Sequence, residues 1–244
     1  MLLNNQVILI TGAGGGLGGT AAIALAQQGA SIVLLDKSIP KLESAYDKIV
    51  AVGGPEPTMY PFDLAGANEL QYQEMAAALE AKYGAIQGLL HSAVELSAFT
   101  PISIYKTREW GHSLNVNLNA PFLLTRVLLP LMQNSRHASI VFTSDSSARN
   151  APAYSGAYGV AKIALEGFAR ILAGELESAD KIRVNILIPG PVDSPLRKRV
   201  YPAEDKSLLS TMQSLDKFYN FLFSEQSIGL TGQTIDARSF TLPV

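Results

Sequence analysis

The stretch VILITGAGGGLGGTAAIALAQQGASIVLLD, Val7 to Asp36, opens with a β-branched apolar run and breaks into glycines. It then continues as an alanine-rich segment and returns to a second apolar run. Both runs have strand composition and are apolar at consecutive positions, as strands covered on both faces must be. The alanine-rich segment between them has helical propensity, and Gly29 ends it. Strand, glycine turn, helix and strand make one right-handed βαβ unit.

The same alternation runs outward along the chain. TMYPFD (Thr58–Asp63), IQGLLHSA (Ile86–Ala93), ASIVFTS (Ala138–Ser144) and IRVNILI (Ile182–Ile188) read as further strands, with TGQTIDA (Thr231–Ala237) as a last one. Pro40–Val52, Asn68–Tyr83, Lys106–Met132 and Ala157–Ser178 read as helices. No linker, repeat or low-complexity tract interrupts them. The expected fold is therefore α/β, a doubly wound, mostly parallel, Rossmann-like sheet, with residues 1–244 as a single domain. The segment from Gly190 to about Leu209, with Pro191, Pro195, Pro202 and the basic triplet Arg197-Lys198-Arg199, is the least regular. It leaves the sheet at the carboxyl edge, where such folds bind ligands, and is expected to form a mobile substrate lid around 190–210.

Composition narrows the function. Of the 244 residues 48% are apolar and 16% charged, enough for a sizeable core, and the net charge of −2 argues against a nucleic-acid or anionic-membrane surface. Cysteine is absent, so there are no disulfides and no thiolate metal site, and no metal is expected. No apolar run reaches the roughly 18 residues of a membrane span, and the first residues lack the basic start of a signal peptide. A cytoplasmic location is expected.

The glycine turn Thr11–Gly19 sits between strand and helix, where glycine lets backbone approach a pyrophosphate at a helix N-terminus. Asp36, ending the second strand, is placed to accept ribose hydroxyls and to repel a 2′-phosphate. NAD is therefore the expected cofactor, with NADP as the other candidate, since Lys37 partly offsets that repulsion. Asp63, ending the third strand, can accept a hydrogen bond from an adenine amino group. Farther on, Tyr158 and Lys162 stand one helical turn apart on one face. A phenol titrating near pH ~10 needs a neighbouring cation to act as an acid or base near neutrality.

Taken together, Thr11-Gly12-x-x-x-Gly16-x-Gly18, Asp63, Asn117 in NVNLNAPF, Tyr158-x-x-x-Lys162, Pro189-Gly190 and Thr231-Gly232-Gln233 resemble the short-chain dehydrogenase/reductase family in its compact single-domain form. LLH, LLPLM and IVFTS are similar to a bacterial subgroup labelled YciK-like. The resemblance implies hydride transfer between a nicotinamide and a small secondary alcohol or ketone, with Tyr158 as acid/base. It implies that Lys162 lowers the tyrosine pKa and that Asn117 bends its helix and holds a proton-relaying water. Gly12, Gly16, Leu17, Gly18, Asp36, Asp63, Leu64, Ala93, Tyr158, Lys162, Pro189, Val192 and Ser194 would hold the cofactor, Ser194 bonding the carboxamide. A homodimer or homotetramer is implied, burying the two long helices.

Departures from the family pattern mark the catalytic half. Asn-Ala-Gly after the fourth strand is Ser92-Ala93-Val94 here, and Ile188 precedes Pro-Gly where asparagine is usual. Asp145 stands where a serine would donate to the substrate oxygen. An ionised carboxylate cannot donate, and at ~4 Å it repels a tyrosinate by ~4 kcal/mol at an effective dielectric of ~20. Three arrangements answer this: a protonated Asp145, a loop shifted so that Ser144 or Ser146 supplies the hydroxyl, or a cationic substrate. The shifted loop is the leading expectation. A dinucleotide-binding protein with little turnover, a redox sensor or partner-binding module, is the alternative function.

Overall fold

In the computed structural model, which describes residues 1–179 and 181–243, the opening βαβ unit forms as its composition dictates. Strands β1 (Val7–Thr11) and β2 (Ser31–Asp36) lie parallel, Ile10 opposite Leu34, joined by helix α1 (Gly16–Gln27). After them come α2 (Ile39–Ala51), β3 (Thr58–Pro61), α3 (Glu69–Tyr83) and β4 (Gly88–His91). The second half supplies α4 (Thr107–Leu114), α5 (Ala120–Gln133), β5 (Ala138–Thr143), the short α6 (Ser147–Asn150) and α7 (Gly156–Leu176). It ends with β6 (Ile182–Ile188), α8 (Pro195–Val200), α9 (Asp216–Phe223) and β7 (Thr234–Asp236).

The seven strands form one sheet in the order β3-β2-β1-β4-β5-β6-β7, with every neighbouring pair parallel. The doubly wound expectation holds. Because strand side chains alternate, Ile8 and Ile10 of β1 join a core with α1, α2 and α9, while Leu9 faces the opposite core with α3, α5 and α7. Chain order reverses between β1 and β4, which opens a crevice at their carboxyl ends.

Two local expectations change. The helix expected from Lys106 to Met132 is α4 and α5, joined by one wider turn of π-helix at Asn115–Asn119. Asn117 lies inside that turn, buried. Helix α9 escapes a periodicity reading because it is only eight residues long and buries Phe218, Tyr219, Phe221, Leu222 and Phe223 around most of its circumference.

Candidate active site

The crevice begins at the glycine turn. Gly12 has a φ of 66° and packs on β4's exit, where an added Cβ would lie 2.8 Å from the Ala93 Cα. A Cβ on Gly18 would lie 2.4 Å from the Gly12 carbonyl oxygen, so α1 can start here only with glycine at that place. Gly15 and Gly16 instead face open space. Helix α1 has no side-chain cap and no acidic residue in its first turn, so its leading N–H groups have no partner from a capping side chain. A cradle of backbone donors, open on one side and sterically closed on the other, fits a pyrophosphate.

Asp36 points into this cradle: its Oδ2 accepts the Gly14 N–H at 3.2 Å and its Oδ1 the Ser38 N–H at 3.0 Å. The backbone thus holds the carboxylate facing the loop, with lone pairs left for hydroxyl donors. Lys37 is exposed beside it. Lys41, unmarked by sequence reading, packs its stem against Gly14. Leu17 packs partly buried on the core. Asp63 is exposed and accepts the Ala65 N–H at 3.1 Å, while the Leu64 carbonyl accepts the Tyr72 hydroxyl at 2.9 Å.

At the switch point Thr11 does what the sequence assigns to no residue. Its hydroxyl accepts the N–H groups of Ser92 at 3.0 Å and Ala93 at 3.1 Å, tying β4's exit to β1. The Ser92 hydroxyl itself is buried without a hydrogen-bond partner among the described residues, so the tie expected from an asparagine there is absent on the side-chain side. Val94 is exposed.

Helix α7 presents Tyr158 and Lys162 on its buried face, as i,i+4 spacing requires. Only 7% of Tyr158 and 4% of Lys162 is exposed, which excludes an ordinary solvated pair. The Lys162 Nζ donates to the Thr143 carbonyl at 2.8 Å and lies 5.7 Å from the Tyr158 ring centre. Burial lowers the Lys162 pKa to about 8, although the charges of Asp145 and Glu166 pull it up. Tyr158 moves the other way. Burial first, then the Asp145 charge, raise it well above 10.

Of the two serines that a shifted loop could use, Ser144 is committed elsewhere. Ser144 turns away: it is buried, and its hydroxyl donates to Glu166 Oε1 at 2.9 Å. Glu166 is itself buried and paired with Arg170 at 2.7 Å, so the loop before Asp145 is anchored behind the site. Glu166 follows Lys162 by the same one-turn spacing that separates Lys162 from Tyr158, a signal legible in the sequence but passed over. His91 packs flat on Phe142 at 4.7 Å and bonds Thr125 at 2.9 Å. Burial, then Lys162, drop its pKa to about 3, so it is neutral.

The Asn117 side chain is engaged with the loop after β4 and with α4. Its amide donates to the Glu95 carbonyl at 2.7 Å and the Ser113 carbonyl at 2.8 Å, and its oxygen accepts the Glu95 N–H at 3.2 Å. Both amide hydrogens are thus spent holding the loop after β4 and the preceding helix turn, and the amide oxygen keeps one lone pair. Ser194 caps α8, accepting the Arg197 N–H at 3.2 Å, which leaves its own O–H to donate. Val192 is buried and bridges Ser210 in parallel, closing the base of the segment between them.

The basic triplet on that segment is internally paired. Arg197 holds Glu204 through two bonds of 2.6 Å, Lys198 lies 3.1 Å from Asp193, and Arg199 donates to the Leu96 carbonyl at 2.7 Å. It is not a free patch for an acidic substrate. Tyr201 stacks under Arg197 at 4.8 Å and meets Phe99 at 5.5 Å, so the segment reaches across to the loop after β4. Tyr201 and Arg197 both lie within electrostatic reach of Asp145. Arg238, also unmarked by sequence reading, does too, while paired with Asp236 at 2.6 Å and laid over Gly190 beside Pro189.

Residues 6–205 match the family model described as short chain dehydrogenase. The chain is 35% identical over 237 residues to the oxidoreductase YciK of Escherichia coli K12, covering 97% of this chain and 93% of that one. It superposes on a short chain dehydrogenase of Pseudomonas syringae with a TM-score of 0.94 at 39% identity, over 97% of this chain and 96% of that one. A Shigella flexneri short chain dehydrogenase complexed with NADP gives 0.93 at 35%, over 97% and 98%. With the glycine cradle, the parallel sheet and the buried Tyr158–Lys162 pair in place, the chain belongs to the short-chain dehydrogenase family of oxidoreductases.

Proposed function

We propose that this protein transfers a hydride between a nicotinamide dinucleotide and a small organic molecule, working in the reducing direction. The observation that carries the reading is the burial of Tyr158 and Lys162 together at the carboxyl edge of the sheet, beside an open backbone cradle. A buried lysine costs folding free energy and is otherwise hard to account for on a helix face. In this reading Gly12, Gly16, Leu17 and Gly18 hold the pyrophosphate, and Asp36 the adenosine ribose. Asp63, Leu64 and Ala93 flank the adenine side, and Pro189, Val192 and Ser194 the nicotinamide. The bound nicotinamide supplies the hydride.

Tyr158 supplies the proton. Its raised pKa keeps it protonated near neutral pH, which suits a donor to a strongly basic reduced product and opposes the tyrosinate that alcohol oxidation needs. Lys162, near its own pKa at mildly alkaline pH, restores that proton. Residues 193–209 act as a lid hinged at the Val192–Ser210 bridge. Asp36 favours NAD: a 2′-phosphate beside a carboxylate held by two backbone donors is repelled. The NADP complexed by the Shigella relative belongs to that chain, and Lys41 is the residue through which this one would admit it. Outward-facing Phe122, Val160, Ile163 and Ile171 on α5 and α7 make the face for a homo-oligomer.

A specific observation favours a second reading, a dinucleotide-binding protein of low turnover: burial and then the Asp145 charge oppose ionisation of Tyr158. One experiment separates them. NADH and NADPH binding is measured by fluorescence, then turnover with a panel of carbonyl and imine compounds, in wild type and Tyr158→Phe. Turnover lost in the variant at unchanged cofactor affinity supports the oxidoreductase. Tight binding with no turnover on any substrate class favours the binding protein.

A further inference from the structure

Four residues of α7 stand one turn apart on a single stripe: Tyr158, Lys162, Glu166 and Arg170. The middle two are charged and buried, Lys162 to 4% exposure and Glu166 to 3%. They hold two consecutive residues where β5 runs into its loop. The Lys162 Nζ donates to the Thr143 carbonyl at 2.8 Å, and the Ser144 hydroxyl donates to Glu166 Oε1 at 2.9 Å. Ser144 is fixed from β6 as well, its N–H donating to the Leu187 carbonyl at 2.8 Å. Ammonium and carboxylate are thus seated against one short piece of chain, their Cβ atoms roughly 5–6 Å apart by helix geometry.

Ser144 needs only an acceptor, and a neutral amide would supply one. A carboxylate is costly to bury unless cations surround it. Arg170 Nη2 lies 2.7 Å from Glu166 Oε2 and Arg149 Nε 3.9 Å from it, but both arginines are about half exposed and screened by solvent. Lys162 is the buried cation on the same helix face. The other titratable groups facing Lys162 are Tyr158, with its ring centre at 5.7 Å, Asp145 from the loop after β5, and the neutral His91 from β4. Burial pulls the Lys162 pKa down, and the Glu166 charge is among those that hold it up.

Resting on the hydride-transfer reading above, we propose that Glu166 is a positioning residue of the proton path, a carboxylate that touches no reacting atom and keeps Lys162 in its ammonium form. In each turnover that ammonium passes one proton to the tyrosinate left by the reaction, and solvent reprotonates the amine. Without the Glu166 charge Lys162 gives up its proton at lower pH, and turnover fails sooner on the alkaline side. The hydrogen bond from Ser144 keeps Oε1 turned toward the end of β5, while Oε2 serves the arginines.

The test reads Lys162 directly, without substrate. Protein labelled with carbon-13 at lysine Cε is titrated by NMR across roughly pH 6 to 11, the Lys162 resonance being the one missing from Lys162→Met. Glu166→Gln keeps an acceptor for Ser144 and removes the charge, so it should lower the Lys162 midpoint by about one unit. Ser144→Ala keeps the charge and removes the hydrogen bond, and should move the midpoint by less than half as much. Arg170→Met removes a cation from Glu166 and should raise the midpoint. On a substrate that turns over, the alkaline limb of kcat should follow the Glu166→Gln shift, with dinucleotide affinity unchanged at neutral pH. A midpoint that Glu166→Gln leaves in place, or that Ser144→Ala moves as far, overturns the proposal and leaves the oxidoreductase standing. Should Glu166→Gln not fold, a midpoint that Arg170→Met fails to raise overturns it equally. An alkaline limb that stays while the midpoint moves removes Glu166 from the proton path. Failure of both dinucleotides to bind overturns the oxidoreductase reading and this role with it, whatever the midpoint does.

Discussion

The two sides of the crevice reach their specificity by different means. Around β1 and β2 the site is made of backbone: glycines that forbid a Cβ on one side and leave room on the other, and a carboxylate fixed by two amide N–H groups. Around β5 and α7 it is made of buried side chains whose charges set one another, Lys162 lowered to about 8 while Tyr158 is raised. The first side follows the family pattern closely, because close backbone approach leaves few residue choices. The second departs at Asp145, and the exit of β4 between the two sides departs at Ser92 and Val94, because side-chain chemistry can change while the sheet beneath stays the same. Binding is inherited with the backbone, whereas reaction class is set residue by residue.

The comparison breaks most sharply at Tyr158. Tyr158→Phe should lower turnover by at least about 10²-fold while moving the dinucleotide dissociation constant by less than about threefold, checked by steady-state kinetics and fluorescence titration. An equal loss in both would mean the two sides are not separable. On the backbone side, Gly18→Ala forces a Cβ against the Gly12 carbonyl. It should weaken dinucleotide binding and cost about 1–3 kcal/mol of stability by urea denaturation.

Lys162 sharpens the electrostatic side through pH. Its folded pKa of about 8 lies below the ordinary 10.5, so between those values the unfolded chain binds more protons than the folded one. Stability contributed by this group therefore rises with pH across that window and is lost as pH falls through the lower value, by about 2 kcal/mol between pH ~8 and ~10. Denaturation of Lys162→Met should show that rise removed, and greater stability than wild type at neutral pH. The smallest effect belongs to cofactor choice. Asp36→Asn removes the repulsion of a 2′-phosphate, about 1 kcal/mol at 4 Å in water, and should improve the NADPH to NADH affinity ratio roughly five- to tenfold.

Much of the fold was legible because it rests on composition and period. Consecutive apolar residues in Ile182–Ile188 or Val7–Thr11 have only one comfortable place, a strand covered on both faces. Glycine spacing and the Tyr158–Lys162 turn were legible for a similar reason, since local geometry carries them. Helix α9 was missed because a short run buried almost all round has no period to detect. Thr11 and Arg238 were missed because their partners, Ser92 and Ala93 for the first and Gly190 for the second, are distant in sequence.

By itself, then, the sequence determined the doubly wound architecture, the glycine cradle and the placing of Tyr158 and Lys162 on one helix face. It stated the conflict at Asp145 without resolving it. Only the tertiary structure decided that Ser144 is taken by Glu166 and that Asn117 is taken by Glu95 and Ser113. The reason is physical: spacing fixes where a residue falls along its own element, but whether a side chain such as that of Ser144 is held behind a crevice depends on what the neighbouring elements offer as partners.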